Sequence, residues 1–244
     1  MLVYREEIDG LRAVAIIPVI LYHAGFHKFF AGGYVGVDIF FVISGYLITS
    51  VIDTECDRQK FSLVNFYERR FRRIFPALFF IVFISSAFAY YWMLPEQLLE
   101  FGQTLISINL FSSNFFFWWK DDGYFSKLAE LNPLVHTWSL AVEEQFYFVF
   151  PLLCYFFSEK RRQLMHILIF FTLLSFFLAQ WGGNLYRTGD EQQFHMFSQH
   201  SWASFYLPLG RVWELLFGAF ASFYLRANNS IEYVYILLLS LLKL

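Results

Sequence analysis

The chain has 244 residues, 58% of them hydrophobic and 23% aromatic, with 34 Phe. Charged residues make up 16%, against about 25% in soluble proteins. This composition excludes an ordinary soluble domain, and a net charge of -2 leaves no overall field for nucleic acid. Several windows reach the ~18 apolar residues of a spanning helix. The pattern predicts an all-α, polytopic transmembrane helix bundle with seven membrane segments and a partial eighth.

The first segment covers 13–26 and follows MLVYREEIDGLRA. That start mixes acids with Arg5, and no cleavage-type ending follows, so it does not read as a signal peptide. Arg12 and His23 are eleven positions apart. At about 100° per residue they share one helical stripe, separated by roughly 16 Å along the axis. Ionisable groups inside a membrane point to function, and a neutral imidazole can act as general base. The plainer readings are a packing histidine bonded to a nearby carbonyl, and an Arg12 that snorkels to the cytoplasmic edge or pairs with Asp9.

The second segment, 35–52, carries Asp38 near its outer end, where a carboxylate pairs with an arginine or lines a wet cavity. Gly32, Gly33, Gly36 and Gly45 suit close helix contact. The loop 53–73 then gathers Arg69, Arg70, Arg72 and Arg73 within five positions. Such charge marks the cytoplasmic side, yet four arginines exceed that need. Their planar forks suit phosphate, and the pairs 69/72 and 70/73 each share a helical face. A nucleotide cofactor fits this cluster, and so do anionic lipid headgroups.

The third segment, 74–94, has no charge at all. The next stretch, 97–119, is apolar but holds Gln97, Glu100, Gln103, Ser107, Asn109, Ser112, Ser113 and Asn114. Placing 53–73, Lys160 to Arg162 and Arg226 in the cytoplasm requires that 97–119 does not cross. It is therefore expected to be a re-entrant or interfacial helix on the outer side, buried in protein or lining a cavity. The same parity puts the N-terminus inside and 27–34, 95–137 and 182–206 outside.

Further segments follow at 138–157, 164–181 and 207–225, with 231–244 as the partial eighth. Glu143 and Glu144 stand about 100° apart on a helix and cannot face one point. His136 lies just before them, and Arg211 and Glu214 form an i,i+3 couple that reads most simply as an intrahelical ion pair. His195 and His200, five apart on an outer loop, lack a metal-ligand spacing on a helix. No zinc motif, Walker loop or nucleophile elbow occurs, so no metal is expected. Cys56 and Cys154 are expected to stay unbridged. No repeat or linker divides the chain, so 1–244 reads as one transmembrane domain. Its last helix looks unfinished, and we expect the protein to continue beyond it.

Five stretches, IDGLRAVAIIPVILYHAGF, GGYVGVDIFFVISGYLIT, FYERRFRRIFPALF, PLVHTWSLAVEEQFYFVFPLL and YLPLGRVWELLFGA, come in the order seen in the acyltransferase 3 family. Over 5–225 the chain resembles these bacterial inner-membrane O-acyltransferases, which include lipopolysaccharide O-antigen acetylases. The resemblance implies no bound cofactor, a cytoplasmic acyl-CoA co-substrate, usually acetyl-CoA, and a hydroxyl acceptor on a cell-surface or periplasmic glycan. It also implies that His23 is the catalytic histidine and Arg12 its partner, and that donor binding falls on Arg70-x-x-Arg73 or, in a second register, Arg69-x-x-Arg72. Asp9, Asp38, His136, Glu143, Glu144, Arg211 and Glu214 are candidate supporting residues. On this reading the Arg12–His23 stripe is a route for an acyl group across the membrane. Two rival readings are a transporter, which polar residues inside spans also suit, and an inactive truncated remnant.

Overall fold

A computed structural model of the chain describes residues 6–26, 28–30, 32–120, 132–181 and 203–228. Among the described residues there is no strand. The helices are α1 (Glu6–His23), α2 (Val35–Asp57), α3 (Leu63–Trp92), α4 (Pro95–Asn109), α5 (Ser113–Lys120), α6 (Thr137–Phe156), α7 (Arg161–Trp181) and α8 (Pro208–Asn228). Three of them, α2, α3 and α7, are long and apolar enough to cross a membrane. On α3 the exposed surface is aromatic, with Phe79, Phe80, Phe83 and Phe88 all more than half exposed. Such a surface belongs in hydrocarbon, and the exposed Tyr90, Tyr91 and Trp92 at its end suit a membrane interface. The chain is a membrane protein. The partial eighth segment, His195 and His200 lie outside the described residues.

The helix bounds differ from the apolar runs for local reasons. α1 begins at Glu6, its first turn holding Glu6, Glu7 and Asp9 where acids favour the helix dipole. It stops at His23 because Gly25 takes a left-handed φ of 91°, and Phe26 N–H donates to the Leu21 carbonyl at 3.1 Å. α3 begins not at 74 but at Leu63, so the arginine cluster is helical rather than a loop. Ser62 caps it by accepting from Asn65 N–H, and arginine is itself a good helix former.

The stretch 97–119 is two helices, not one. α4 and α5 hold 15 and 8 residues, each too short for a hydrocarbon core of about 30 Å. Between them Phe111 adopts a φ of 49°, an uncommon conformation for a non-glycine residue.

The chain divides into two compact units. The first comprises Met1–Lys60, Met165–Thr172 and Val212–Leu244. Its helices meet through glycines. A Cβ on Gly36 would overlap the Ala15 carbonyl, and one on Gly33 the Pro18 carbonyl, so α1 and α2 approach backbone to backbone. Gly45 meets Leu215 of α8 in the same way, and Gly218 of α8 meets Val42, while Gly32 has open space. Arg226 of α8 binds Asp53 at 3.0 Å and also Asp57, one turn further along α2. Asp53 is buried and Arg226 only a third exposed. Asp53→Asn is therefore expected to cost about 1–2 kcal/mol, between the values for exposed and buried pairs, read as a lower unfolding temperature in detergent.

The second unit comprises Phe61–Leu164 and Leu173–Arg211. Leu78 and Ala89 of α3 pack with Phe101 and Ile108 of α4 and with Leu134. Polar groups of α4 and α5 are bonded inside the protein. Asn132 donates to Thr104 Oγ1 at 2.9 Å, Ser113 to the Thr137 carbonyl at 3.0 Å, and Lys120 pairs with Glu100 at 3.0 Å.

Candidate active site

In the first unit, one helix, α1, carries both Arg12 and His23. His23 is exposed at the last turn, and its Nδ1 lies 2.8 Å from the Val19 carbonyl. A carbonyl only accepts, so in the neutral ring the proton sits on Nδ1 and the basic lone pair on Nε2. The carbonyl bond foreseen as the plain reading is thus present. Tyr22 meets the imidazole edge-on, with ring centroids 5.4 Å apart. Arg12 forms the local ion pair with Asp9 at 3.1 Å. Asp38 lies half-buried in the first turn of α2.

The arginines of α3 separate. Arg69, Arg72 and Arg73 are exposed, and Arg72 pairs with Glu68 at 2.8 Å. Arg70 turns inward. Its guanidinium stacks on the Tyr147 ring at 3.8 Å and approaches Glu144 Oε1 at 3.6 Å. Glu144 therefore joins the arginines across 74 residues of chain, and Glu143, its neighbour, is buried on another face of α6. This division matches the 100° between adjacent side chains.

Arg70 and Glu144 line a cavity of about 360 Å³, whose walls include Tyr67, Phe71 and Phe148. The Tyr67 hydroxyl donates to the Phe148 carbonyl at 2.8 Å, tying α3 to α6. Gln145 also lines the cavity. Its amide donates to the Phe111 carbonyl at 2.7 Å and to Asn114 Oδ1 at 2.9 Å, and Asn114 donates to the Tyr206 carbonyl at 3.1 Å. The left-handed Phe111 is thus held by α6. Gln145 and Tyr147 were missed from the sequence. Their only signal is position, one and three residues beyond Glu144.

His136 stands at the N-cap position of α6, where its side chain makes no capping bond, and it is exposed. Arg211 donates to the Phe205 carbonyl at 3.1 Å and stacks on Phe205 and Trp138. Glu214 is fully buried in α8. No group of His, Cys, Asp and Glu able to hold a metal occurs among the described residues. Cys56 and Cys154 are not joined in a disulfide.

Residues 5–243 match the family described as Acyltransferase domain. The chain is similar to O-acetyltransferase OatA of Staphylococcus aureus (strain NCTC 8325 / PS 47), 39% identical over 175 residues, which is 70% of this chain and 28% of that protein. It is also similar to Peptidoglycan O-acetyltransferase OatA of Listeria monocytogenes, 38% identical over 192 residues, 77% of this chain and 30% of that protein. The chain therefore spans under a third of the length of these curated relatives. No solved structure matches it.

Proposed function

The chain belongs to the acyltransferase 3 family, and from that premise we propose that it is a membrane O-acetyltransferase of the bacterial cell envelope. The acceptor is a glycan hydroxyl. The Listeria relative is named for peptidoglycan, so peptidoglycan is preferred here to the O-antigen suggested by the sequence motifs alone. The donor is acetyl-CoA on the cytoplasmic side, and the chain lies in the cytoplasmic membrane with its N-terminus inside. All seven segments belong to one membrane domain, α4 and α5 entering it from the outer side without crossing.

In this reading His23 Nε2 takes the proton of the acceptor hydroxyl as its oxygen attacks the thioester carbonyl. The carbon–sulfur bond breaks, and the CoA thiolate leaves and is protonated. Transfer through an acyl-histidine uses the same nitrogen as nucleophile. Arg12 helps to position the donor or biases the electrostatics of its path, and the exposed Arg69, Arg72 and Arg73 hold donor phosphates, as charged forks on a membrane surface do. The observation that carries the reading is the family match over residues 5–243, with a histidine whose tautomer is set for base chemistry. Mass spectrometry of wall glycan from a deletion strain and its complemented parent tests it. The acetyl increment is expected to vanish on deletion and return on complementation. An unchanged spectrum removes the proposal.

A further inference from the structure

The cavity in the second unit presents an unusual pair. Arg70 Nε and Glu144 Oε1 are both buried without a hydrogen-bond partner among the described residues, although their side chains form a loose ion pair at 3.6 Å. A buried donor and a buried acceptor left unsatisfied each cost about 1–3 kcal/mol. Protein interiors rarely leave both on one cavity wall. The rest of the wall is mostly apolar, with Phe71, Tyr147 and Phe148 beside Leu110 and Val149, and Gln145 adds one amide.

The donor and the acceptor together decide what fits. A fully ionised phosphate only accepts, so beside Arg70 Nε it would leave Glu144 Oε1 unsatisfied. An alkyl tail would leave both polar atoms unsatisfied. A slender, uncharged chain carrying a carbonyl and an N–H or O–H meets both demands. At about 360 Å³ the cavity lies within the range for small-molecule sites.

We propose that this cavity holds the pantetheine arm of the acyl donor, Arg70 Nε donating to one of its amide carbonyls and Glu144 Oε1 accepting from an amide or hydroxyl hydrogen of the same arm. The proposal rests on the acyl-CoA reading above and divides the arginine cluster by task. Arg70 recognises the neutral arm, and the exposed Arg72 and Arg73 meet the phosphates. Tyr147 keeps the Arg70 guanidinium in place by stacking.

The test uses the full-length protein in membranes with two donors, acetyl-CoA and S-acetyl-pantetheine, which lacks the nucleotide and every phosphate. The double variant Arg70→Gln/Glu144→Gln keeps the volume and removes the charged donor–acceptor pair. It is expected to raise KM about tenfold for both donors while kcat stays within about twofold, a charged hydrogen bond being worth a factor of that order. Arg72→Gln/Arg73→Gln is expected to raise KM for acetyl-CoA alone. If the first variant affects acetyl-CoA but not acetyl-pantetheine, or affects neither, the assignment falls. Pantetheine binding, read as a rise in the unfolding temperature of the wild type, gives a second measure independent of turnover. No rise at millimolar pantetheine also overturns the assignment. A wild type that binds pantetheine but transfers acetyl from neither donor supports the cavity assignment and overturns the acyltransferase reading instead.

Discussion

A His23→Ala variant of the full-length protein is expected to lose acetyl transfer by roughly 10²–10⁴-fold, the range for removing a general base, while accumulating in the membrane at the wild-type level. The second half of that expectation follows from position. His23 is exposed at the end of α1, where its ring bonds to the carbonyl of Val19 within the same helix and meets Tyr22 edge-on. The helix end itself is closed by Gly25 and the Phe26 to Leu21 bond, which alanine leaves untouched. Acetylated wall glycan measured at equal protein level checks the expectation. Activity near wild type removes His23 from the chemistry.

The membrane character and most helix positions were legible in the sequence because apolar length is a strong signal. The run 138–157 became α6 at 137–156, shifted by one residue. The glycines were legible too, since small residues at helical spacing permit backbone contact, and Gly33, Gly36 and Gly45 do this. The start of α3 was not, because four arginines resemble a topogenic loop and the Ser62 cap is a weak cue beside them. Glycine at position 218 of α8 was overlooked, although it reciprocates Gly45.

The candidate site was legible on α1 only in that Arg12 and His23 share one helix. It was not legible in the second unit. Arg70 with Glu144, Asn114 with Tyr206 and Tyr67 with Phe148 are contacts across 74, 92 and 81 positions. No periodicity within a helix encodes which distant helix it faces. The charge pattern also misled about Arg70, since four adjacent arginines look equivalent until packing turns one of them inward.

Gly45→Ala should produce a large loss of folded protein. The added Cβ would meet Leu215 backbone, with the carbonyl carbon at 2.7 Å and Cα at 2.9 Å. No flexible side chain can yield there, so α2 and α8 must move apart. Overpacking of this kind costs about 1–3 kcal/mol or more, and between lipid-embedded helices close van der Waals contact is a main source of association. Gly218→Ala forces the same separation from the other side, its Cβ meeting Tyr46 N at 2.6 Å and Val42 backbone. The matched control is Gly102→Ala in α4, where a Cβ meets nothing within 4 Å. It should be neutral or add about 0.5–1 kcal/mol through helix propensity. Once one alanine has parted the helices, the second finds room already made. The double variant Gly45→Ala/Gly218→Ala should therefore cost less than the sum of the singles. Unfolding midpoints in detergent for the four proteins measure this, and strict additivity would mean that the two glycines do not share one contact.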